Sequence, residues 1–477
     1  MIIPLRDAVA NTSGGKAGTL GALLRAGLPV PDGFVIPFDA YPAAARGLDV
    51  GADRLSVGSD RLSGEADRPG VGADRLGIGA DRPGVGADML DAARREIAMR
   101  PLPAGLLDSL ARALGGLGDV PVAVRSSANS EDTVHASGAG QHESVLAVRG
   151  VADVASAVRT CWGSLHSSRA IAYRNDPGTD QLRDDPVMMA VLVQRLVDAE
   201  VSGVMFTSAG PEGTSEIEAS WGLGPSVVEG MVTPDAYRVA ADGSITRTIS
   251  DKRTRLDRDG HGHGDRDPDG DGDSGSSGSG SGDGSRGSSS AQFASGLVTR
   301  DVPAVDRDRP TLDAATVARL VSLGQEAAAL LGGSQDIEWA IAGERIWLLQ
   351  ARPITATPPP APADAPVASP TLLAGTPASQ GIATGTARIV RGPADFPRVR
   401  PGDILVCPYT DPAWTPLLRI AAGVVTDTGG VLSHAAIVAR ELRIPAVVGL
   451  PDATATIHDS ALITIDGTTG TVTTPDT

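Results

Sequence analysis

The sequence predicts an α/β (α+β) protein built from several folded blocks. Its 477 residues, 41% of them hydrophobic, are enough for more than one core. Residues 188–193 form a continuous apolar run typical of a buried strand, and residues 151–174 repeat apolar positions near the helical spacing of 3.6. Further along, a strand at 422–426, a glycine turn, a helix from Ser433 and a strand at 446–448 make a βαβ pattern.

Composition narrows the class of protein. Two cysteines cannot build a disulfide framework, so we expect a reducing, cytoplasmic compartment. The net charge is −17 and no basic cluster is present, which argues against nucleic acid as a partner. No apolar run approaches the roughly 18 residues of a membrane span, so no membrane partner is expected.

Three low-complexity stretches divide the chain. Residues 51–90 repeat an Asp-Arg unit every seven residues with much Gly and Pro, which predicts a surface loop and not a helix. Residues 256–292 are rich in Asp, Gly and Ser and predict a disordered insertion. Residues 357–370 are Pro/Ala-rich and predict a stiff linker. The folded units that remain are 1–356, with its two insertions, and 371–477.

His434 stands where a histidine can meet an anion. Gly429 and Gly430 allow a tight turn after a strand, and Ser433 is a good N-cap, so His434 falls in the first helical turn. Free backbone N–H groups and the positive end of the helix dipole meet at that point. The arrangement favours a functional histidine that approaches or carries a phosphoryl group.

Two N-terminal motifs suit phosphate binding. Gly14-Gly15-Lys16 precedes a helical stretch, but it is not a Walker A loop, because Ala10 and Ala17 stand where Gly and Ser/Thr are required. Arg125 offers a planar fork that matches phosphate oxygens. A salt bridge from Arg125 to Glu131 or Asp132 is an equally good interpretation of the local sequence.

A third pattern suits a hard cation. Residues 336–340 and 348–353 read as successive strands, which would place Glu338 beside Gln350. Mg²⁺ prefers such carboxylate and amide oxygens, supplemented by nucleotide phosphates and water. Considered alone, the pattern favours an ordinary edge-strand glutamate in a hairpin over a metal ligand.

The stretch 429–449 closely resembles the phosphohistidine signature of the phosphoenolpyruvate-utilising family. That family includes phosphoenolpyruvate synthase, pyruvate phosphate dikinase and rifampicin phosphotransferase. The preceding residues 410–417 look most like the rifampicin phosphotransferase branch. Residues 30–34, 138–141 and 221–224 are similar to motifs of the family's nucleotide-binding domain.

The resemblance implies a two-lobed ATP-grasp nucleotide-binding domain over 1–356, followed by a swivelling β/α phosphohistidine domain over 371–477. It also implies Mg²⁺ as cofactor and ATP as substrate. The implied roles are ATP phosphate binding by Lys16, Arg125 and Arg352, a phosphate loop with Gly140 and Ser144, the adenine end at Gln194, metal binding by Glu338 and Gln350, and phosphorylation of His434 as nucleophile.

The implied activity is that of a dikinase: ATP phosphorylates His434, giving AMP and phosphate, and the phosphoryl group passes to a small-molecule acceptor. We expect no acceptor-binding domain in the 18 residues between Pro353 and Leu372 or after the phosphohistidine block, where the sequence stops at residue 477. We therefore expect the acceptor to be bound in trans, with a separate acceptor-binding protein as one source. Pro225 departs from the acidic residue usual after Gly-Leu-Gly. The alternative is a degenerate regulatory or scaffold protein that binds ATP without transfer.

Overall fold

A computed structural model describes residues 2–42, 84–129, 143–167, 170–171, 188–208, 213–260, 296–358 and 373–473. Most of the three low-complexity stretches therefore lies outside the described residues, namely 51–83, 261–292 and 359–370. The sequence prediction of loops and a linker in these segments stays a prediction.

The first lobe is a five-stranded sheet in the order β1-β2-β5-β3-β4. Its strands are β1 Ile3–Pro4, β2 Gly33–Ile36, β3 Val122–Ala128, β4 Ser144–Val148 and β5 Met189–Arg195. Its helices are α1 Ala10–Arg25, α2 Gly84–Met99, α3 Ala104–Leu117 and α4 Val151–Ser164. Helix α4 packs on one face through Val158 and Trp162, both fully buried against strand residues such as Val124.

The second lobe is a six-stranded antiparallel sheet in the order β13-β12-β6-β7-β8-β9, with a separate hairpin of β10 and β11. The strands are β6 Val201–Phe206, β7 Ser215–Trp221, β8 Asp235–Val239, β9 Ile245–Thr248, β10 Thr254–Arg258, β11 Leu297–Asp301, β12 Gln335–Ala342 and β13 Arg345–Pro353. Helices α5 Pro225–Val228, α6 Ala304–Arg307 and α7 Ala314–Leu331 accompany them. Leu20 of α1 shares a core with Met205 and Trp339, so one apolar cluster joins both lobes.

The C-terminal block is an eight-stranded sheet in the order β14-β21-β20-β16-β17-β18-β19-β15. Its strands are β14 Leu373–Ala374, β15 Thr376–Ser379, β16 Ile382–Ile389, β17 Ile404–Cys407, β18 Gly423–Thr426, β19 Ala446–Val448, β20 Leu462–Asp466 and β21 Thr471–Thr473. Its helices are α8 Thr415–Leu418, α9 His434–Leu442 and α10 Ala453–Thr456. Short 3-10 turns cover Leu5–Asp7, Phe38–Ala40, Pro393–Arg398 and Pro412–Trp414.

The predicted βαβ unit is confirmed. Strands β18 and β19 run parallel, with Val424 paired to Ala446 and Val425 to Val447, and helix α9 connects them. A parallel pair needs such a crossover, because its two strands start at the same end of the sheet. The α/β character of the chain is therefore as the sequence indicates.

Three predicted boundaries are wrong. Helix α2 begins at Gly84, inside the predicted loop 51–90, because its Ala93 and Ile97 are buried. Strand β10 extends to Arg258, inside the predicted insertion, and buries Leu256. The helix predicted over 151–174 is interrupted: α4 ends at Ser164, and Ala170 and Ile171 are helical again, with the Ala170 N–H donating to Ser167 Oγ as at a helix start.

Among the described residues, we find no helix with both the length and the apolar character needed to cross a membrane.

Candidate active site

A cavity of about 230 Å³ lies where the two N-terminal lobes meet the C-terminal block. Predicted site residues from both N-terminal lobes and from the C-terminal block line it: Lys16, Arg125, Ser144, Gln194, Glu338, Gln350, Arg352 and His434. Gly140 lies outside the described residues. The structure thus brings every described residue of the predicted set to one place, across more than 400 positions of sequence.

Lys16 is positioned by a kink in helix α1. Gly14 has φ of 80°, a left-handed value that favours glycine, and a Cβ atom there would overlap the Ser127 carbonyl. One turn on, the Ala17 N–H donates to Ser127 Oγ over 3.1 Å. The glycine turn therefore holds Lys16 close against strand β3 at Ser127, which is two residues from Arg125 in the same strand.

Glu338 and Gln350 lie directly opposite each other on the antiparallel strands β12 and β13. Both line the cavity, so the oxygen pair that the sequence predicts for a cation is assembled as expected. Arg125 Nη1 lies 3.4 Å from Glu338 Oε2, and it also donates to the Leu349 carbonyl over 3.4 Å. The local alternative for Arg125, Glu131 or Asp132, lies outside the described residues.

Arg352 is held by a buried carboxylate. Its Nε and Nη2 atoms lie 2.8 and 2.7 Å from Asp336 Oδ2, on the facing strand. Burial raises the pKa of Asp336, while the Arg352 charge lowers it. The pair fixes the guanidinium at the cavity wall, where its remaining N–H groups can meet an anion.

Gln194 and Ser144 occupy different parts of the cavity wall. Gln194 is 2% exposed on β5, and its Nε2 donates to the Pro31 carbonyl over 3.1 Å, which fixes the amide. Ser144 begins β4 and is exposed, at the edge nearest the undescribed stretch 130–142. Gln194 is therefore an ordered wall residue, whereas Ser144 lies at the rim.

His434 is the first residue of helix α9 and is only 5% exposed. Its Nδ1 lies 2.9 Å from the Thr410 hydroxyl oxygen. Ser433 occupies the N-cap position as predicted, but its hydroxyl donates to the Gly430 carbonyl and makes no side-chain cap. The imidazole is thus oriented through Nδ1, with the backbone turn organised separately by Ser433.

The C-terminal block docks on the second lobe around this histidine. Glu218 of β7 accepts the Val431 and Leu432 N–H groups over 2.6 and 3.1 Å, and the Thr428 hydroxyl donates to the Gly230 carbonyl over 2.7 Å. Burial raises the pKa of Glu218 to about 7, although both N–H contacts lower it. An apolar cluster seals the contact: Val204, Phe206, Val227, Val232, Leu432 and Ile437.

Glu229 brings a further carboxylate to the cavity. It follows helix α5, four residues after Pro225, and both residues line the cavity with His434. Burial, and then the nearby negative charge of Asp411, raise the pKa of Glu229 to about 8. The acidic group that the resemblance places at position 225 is therefore absent there, while Glu229 supplies one from the next turn.

Lys252, the second lysine of the chain, has a structural setting. Its Nζ lies 2.6 Å from Asp235 Oδ1 and donates to the Ser250 carbonyl, and both charged side chains are fully buried. It is not among the residues that line the cavity. Lys252 is therefore set apart from the cavity that Lys16 lines.

Several site residues have no clear sequence signal. Glu218, Glu229 and Asp336 are single acidic residues in ordinary strand or turn contexts. Thr410 lies in the stretch 410–417 that resembles rifampicin phosphotransferase. That resemblance is the one sequence feature that points to Thr410 as a site residue.

Two protein-family models match the chain, and their bounds follow the parts of the structure that meet at the cavity. Residues 10–269 and 282–370 match the family model described as pyruvate phosphate dikinase, AMP/ATP-binding domain. Residues 399–470 match that of the PEP-utilising enzyme, mobile domain. These two matches cover, respectively, the pair of N-terminal lobes and the block that carries His434.

Curated relatives align along nearly the whole chain. A probable phosphoenolpyruvate synthase of Methanothermobacter thermautotrophicus is 34% identical over 96% of this chain and 61% of its own length. Another from Archaeoglobus fulgidus is 34% identical, and the phosphoenolpyruvate synthase of Aeropyrum pernix is 35% identical, each over 96% of this chain and 56% of its own length. The chain therefore spans somewhat more than half the length of these relatives. It belongs to the PEP-utilising enzyme family, with an AMP/ATP-binding domain of the pyruvate phosphate dikinase type followed by a mobile domain.

Proposed function

We propose that the protein is an ATP-dependent phosphotransferase that phosphorylates its own His434 and then passes the phosphoryl group to an acceptor bound in trans. The observation that carries this proposal is the enclosure of His434 in one cavity with Lys16, Arg125 and Glu338. A nucleophile, two cationic side chains and a carboxylate at one cavity are the parts that phosphoryl transfer from a nucleotide requires.

In the first step, the attacking atom is Nε2 of neutral His434, because Nδ1 is engaged with Thr410. The Nε2–phosphorus bond forms at the β-phosphate, the α–β bridging bond breaks, and AMP leaves. Water then attacks the γ-phosphorus, the β–γ bridging bond breaks, and inorganic phosphate leaves, so that one phosphoryl group stays on Nε2. Lys16, Arg125 and Arg352 offset the charge on the transferring group and the leaving phosphates.

Glu338 and Gln350 fit a magnesium ion, because their oxygen-bearing side chains stand opposite each other at the cavity wall. Bound Mg²⁺ would supply charge neutralisation for the nucleotide phosphates. Arg125, 3.4 Å from Glu338, would then be shared between that carboxylate and the phosphates.

In the second step, the C-terminal block leaves the cavity and carries the phosphoryl group to the acceptor. The Pro/Ala-rich stretch 357–370 suits this movement, because a semi-rigid tether keeps the two parts close without fixing them. The relatives are named phosphoenolpyruvate synthases. We therefore take a pyruvate-class acceptor, presented by a separate protein or segment, as the first to test.

Isotope exchange tests the first step without knowledge of the acceptor. With Mg²⁺, phosphate and ATP, radiolabelled AMP should return label to ATP, because a reversible phosphoenzyme links the two nucleotides. His434→Ala should show no exchange. Absence of exchange in the wild-type protein, with ATP binding intact, would favour the alternative, a regulatory or scaffold protein that binds ATP without transfer.

A further inference from the structure

Glu218 makes an unusual contact for a residue outside the cavity. It lies in the middle of strand β7, is 3% exposed, and directs its carboxylate at the loop that precedes His434. One oxygen accepts the Val431 N–H and the other accepts the Leu432 N–H. Hydrogen bonds that a carboxyl group accepts from backbone N–H groups gain strength where water is excluded.

The loop is shaped to admit this carboxylate. A Cβ atom placed on Gly430 would overlap both carboxylate oxygens of Glu218, and these are its nearest neighbours. The backbone of Gly430 is not left-handed, so the absence of a side chain there serves the approach of Glu218 and not the local backbone conformation. Gly430 and Glu218 therefore form a matched pair across the docking contact.

The C-terminal block holds the other side of the same loop. Arg440, on helix α9, donates from Nη1 to the Val431 carbonyl over 2.8 Å and to the Ala378 carbonyl over 2.9 Å. The Val431 peptide is thus held by Arg440 through its carbonyl and by Glu218 through its N–H. Arg440 belongs to the same block as His434, so its contact with the Val431 carbonyl is kept when that block moves. The contact between Glu218 and the Val431 N–H forms only when the block is docked.

We propose that Glu218 is a positioning residue for phosphorylation: it fixes the loop of Gly430, Val431 and Leu432 so that His434 is set at the nucleotide cavity. This inference rests on the proposed function. Glu218 is not among the residues lining the cavity, so it acts through the position of His434 and not on the nucleotide. Its loss should lower the rate of His434 phosphorylation at saturating ATP and leave ATP binding as it is.

The experiment compares Glu218→Ala with Glu216→Ala, a matched control on the same strand whose carboxylate binds Arg238 over 2.7 Å instead of the loop. Single-turnover phosphorylation of the full chain by ATP and Mg²⁺ gives a rate and a half-saturating ATP concentration for each. Loss of the two hydrogen bonds from the loop should slow Glu218→Ala about 10- to 100-fold at saturating ATP. The half-saturating concentration should stay within about two-fold, and Glu216→Ala should match the wild type.

A double-mutant cycle with Gly430→Ala makes the test specific. Alone, Gly430→Ala should slow phosphorylation, because its new methyl group meets the Glu218 carboxylate. In the Glu218→Ala background it should cause little further loss, since the group it meets is gone. Additive effects of the two substitutions would contradict the proposed contact.

The outcomes separate the two proposals. A wild-type protein and Glu216→Ala control that form no phosphohistidine would overturn the proposed function, and this inference with it. Normal phosphorylation by Glu218→Ala would overturn the positioning role alone. Weakened ATP binding or a lowered melting temperature in Glu218→Ala, matching its loss of rate, would assign Glu218 a structural role and overturn the inference as well.

Discussion

The hydroxyl oxygen of Thr410 lies 2.9 Å from Nδ1 of His434, and both side chains are buried. The two residues are 24 positions apart in the same block: Thr410 lies between strand β17 and the turn Pro412–Trp414, and His434 begins helix α9. A histidine held through one ring nitrogen presents the other in a fixed direction, which a nucleophile in an enclosed cavity requires.

Thr410→Val should slow phosphorylation of His434 about three- to ten-fold, because it removes one hydrogen bond to the ring and keeps the side-chain shape. Single-turnover kinetics with ATP measures the loss. Thr384→Val is the control, since the Thr384 hydroxyl faces Thr464 on an exposed part of the sheet. An unchanged rate in Thr410→Val would remove the orienting role.

Lys16→Arg should slow phosphorylation of His434 by about ten-fold or more, although arginine is the basic residue at nearly every other basic position of this chain. Only two of its 41 basic residues are lysines, and Lys16 lines the cavity. A compact ammonium fits close against phosphate oxygens, beside the kink at Gly14, whereas a planar guanidinium needs more width. Rates equal to wild type would contradict this role for Lys16.

Lys252→Met should affect stability, whereas Lys16→Arg should affect phosphorylation. It should lower the free energy of unfolding by about 3–5 kcal/mol, because Asp235 would stay buried without its cation. Thermal unfolding checks this. Correctly folded Lys252→Met at low temperature should keep the ATP affinity of the wild type, whereas Lys16→Arg should keep its melting temperature.

Glu338→Gln should raise the Mg²⁺ concentration that gives half-maximal phosphorylation, by about ten-fold or more, because a neutral amide replaces a carboxylate oxygen beside Gln350. Titration of Mg²⁺ at fixed ATP measures the shift. Glu344→Gln is a control in the turn between the same two strands, where its side chain is exposed. Equal magnesium requirements in all three proteins would exclude Glu338 as a ligand.

Docking of the C-terminal block on the second lobe should weaken as pH rises, because Glu229 loses its proton. The docked cavity raises the pKa of Glu229 from 4.5 to about 8, and undocking removes Asp411, so the docked form holds a proton that the open form releases. A raised pKa gives stability at low pH that is lost as pH approaches about 8. The wild-type phosphorylation rate should therefore fall as pH rises towards about 8, and the raised pKa of Glu218 should add to the fall up to about pH 7.

Glu229→Gln should reduce that fall, because the amide carries no titrating proton, and should leave the part that Glu218 contributes. Rates measured from pH 6 to 9 test the effect, with Glu326→Gln, at an exposed position of helix α7, as the charge-matched control. A fall of undiminished size in Glu229→Gln would exclude Glu229 as a source.

The sequence was sufficient where chemistry depends on local pattern. Gly429, Gly430 and Ser433 place His434 at the start of its helix, and two successive strands bring Glu338 to Gln350, as predicted. These features need only the turn preferences of glycine and the register of a hairpin.

Contacts between distant segments could not be predicted. Arg125 finds Glu338, 213 residues away, and Glu218 meets the Val431 N–H from another sheet. Such pairs depend on how separate blocks dock, and the spacing of apolar residues along the sequence carries no information on that docking. For the same reason Lys252, a buried partner of Asp235, could not be distinguished from Lys16 by residue type alone.

The most direct measurement of the central claim identifies both products of one reaction. Protein incubated with ATP and Mg²⁺ should gain one acid-labile phosphoryl group on His434, located by mass spectrometry, with AMP and phosphate in matching amounts. His434→Ala should give neither product. ADP as the sole nucleotide product would contradict the dikinase mechanism, and a phosphoryl group on any other residue would contradict the role of His434.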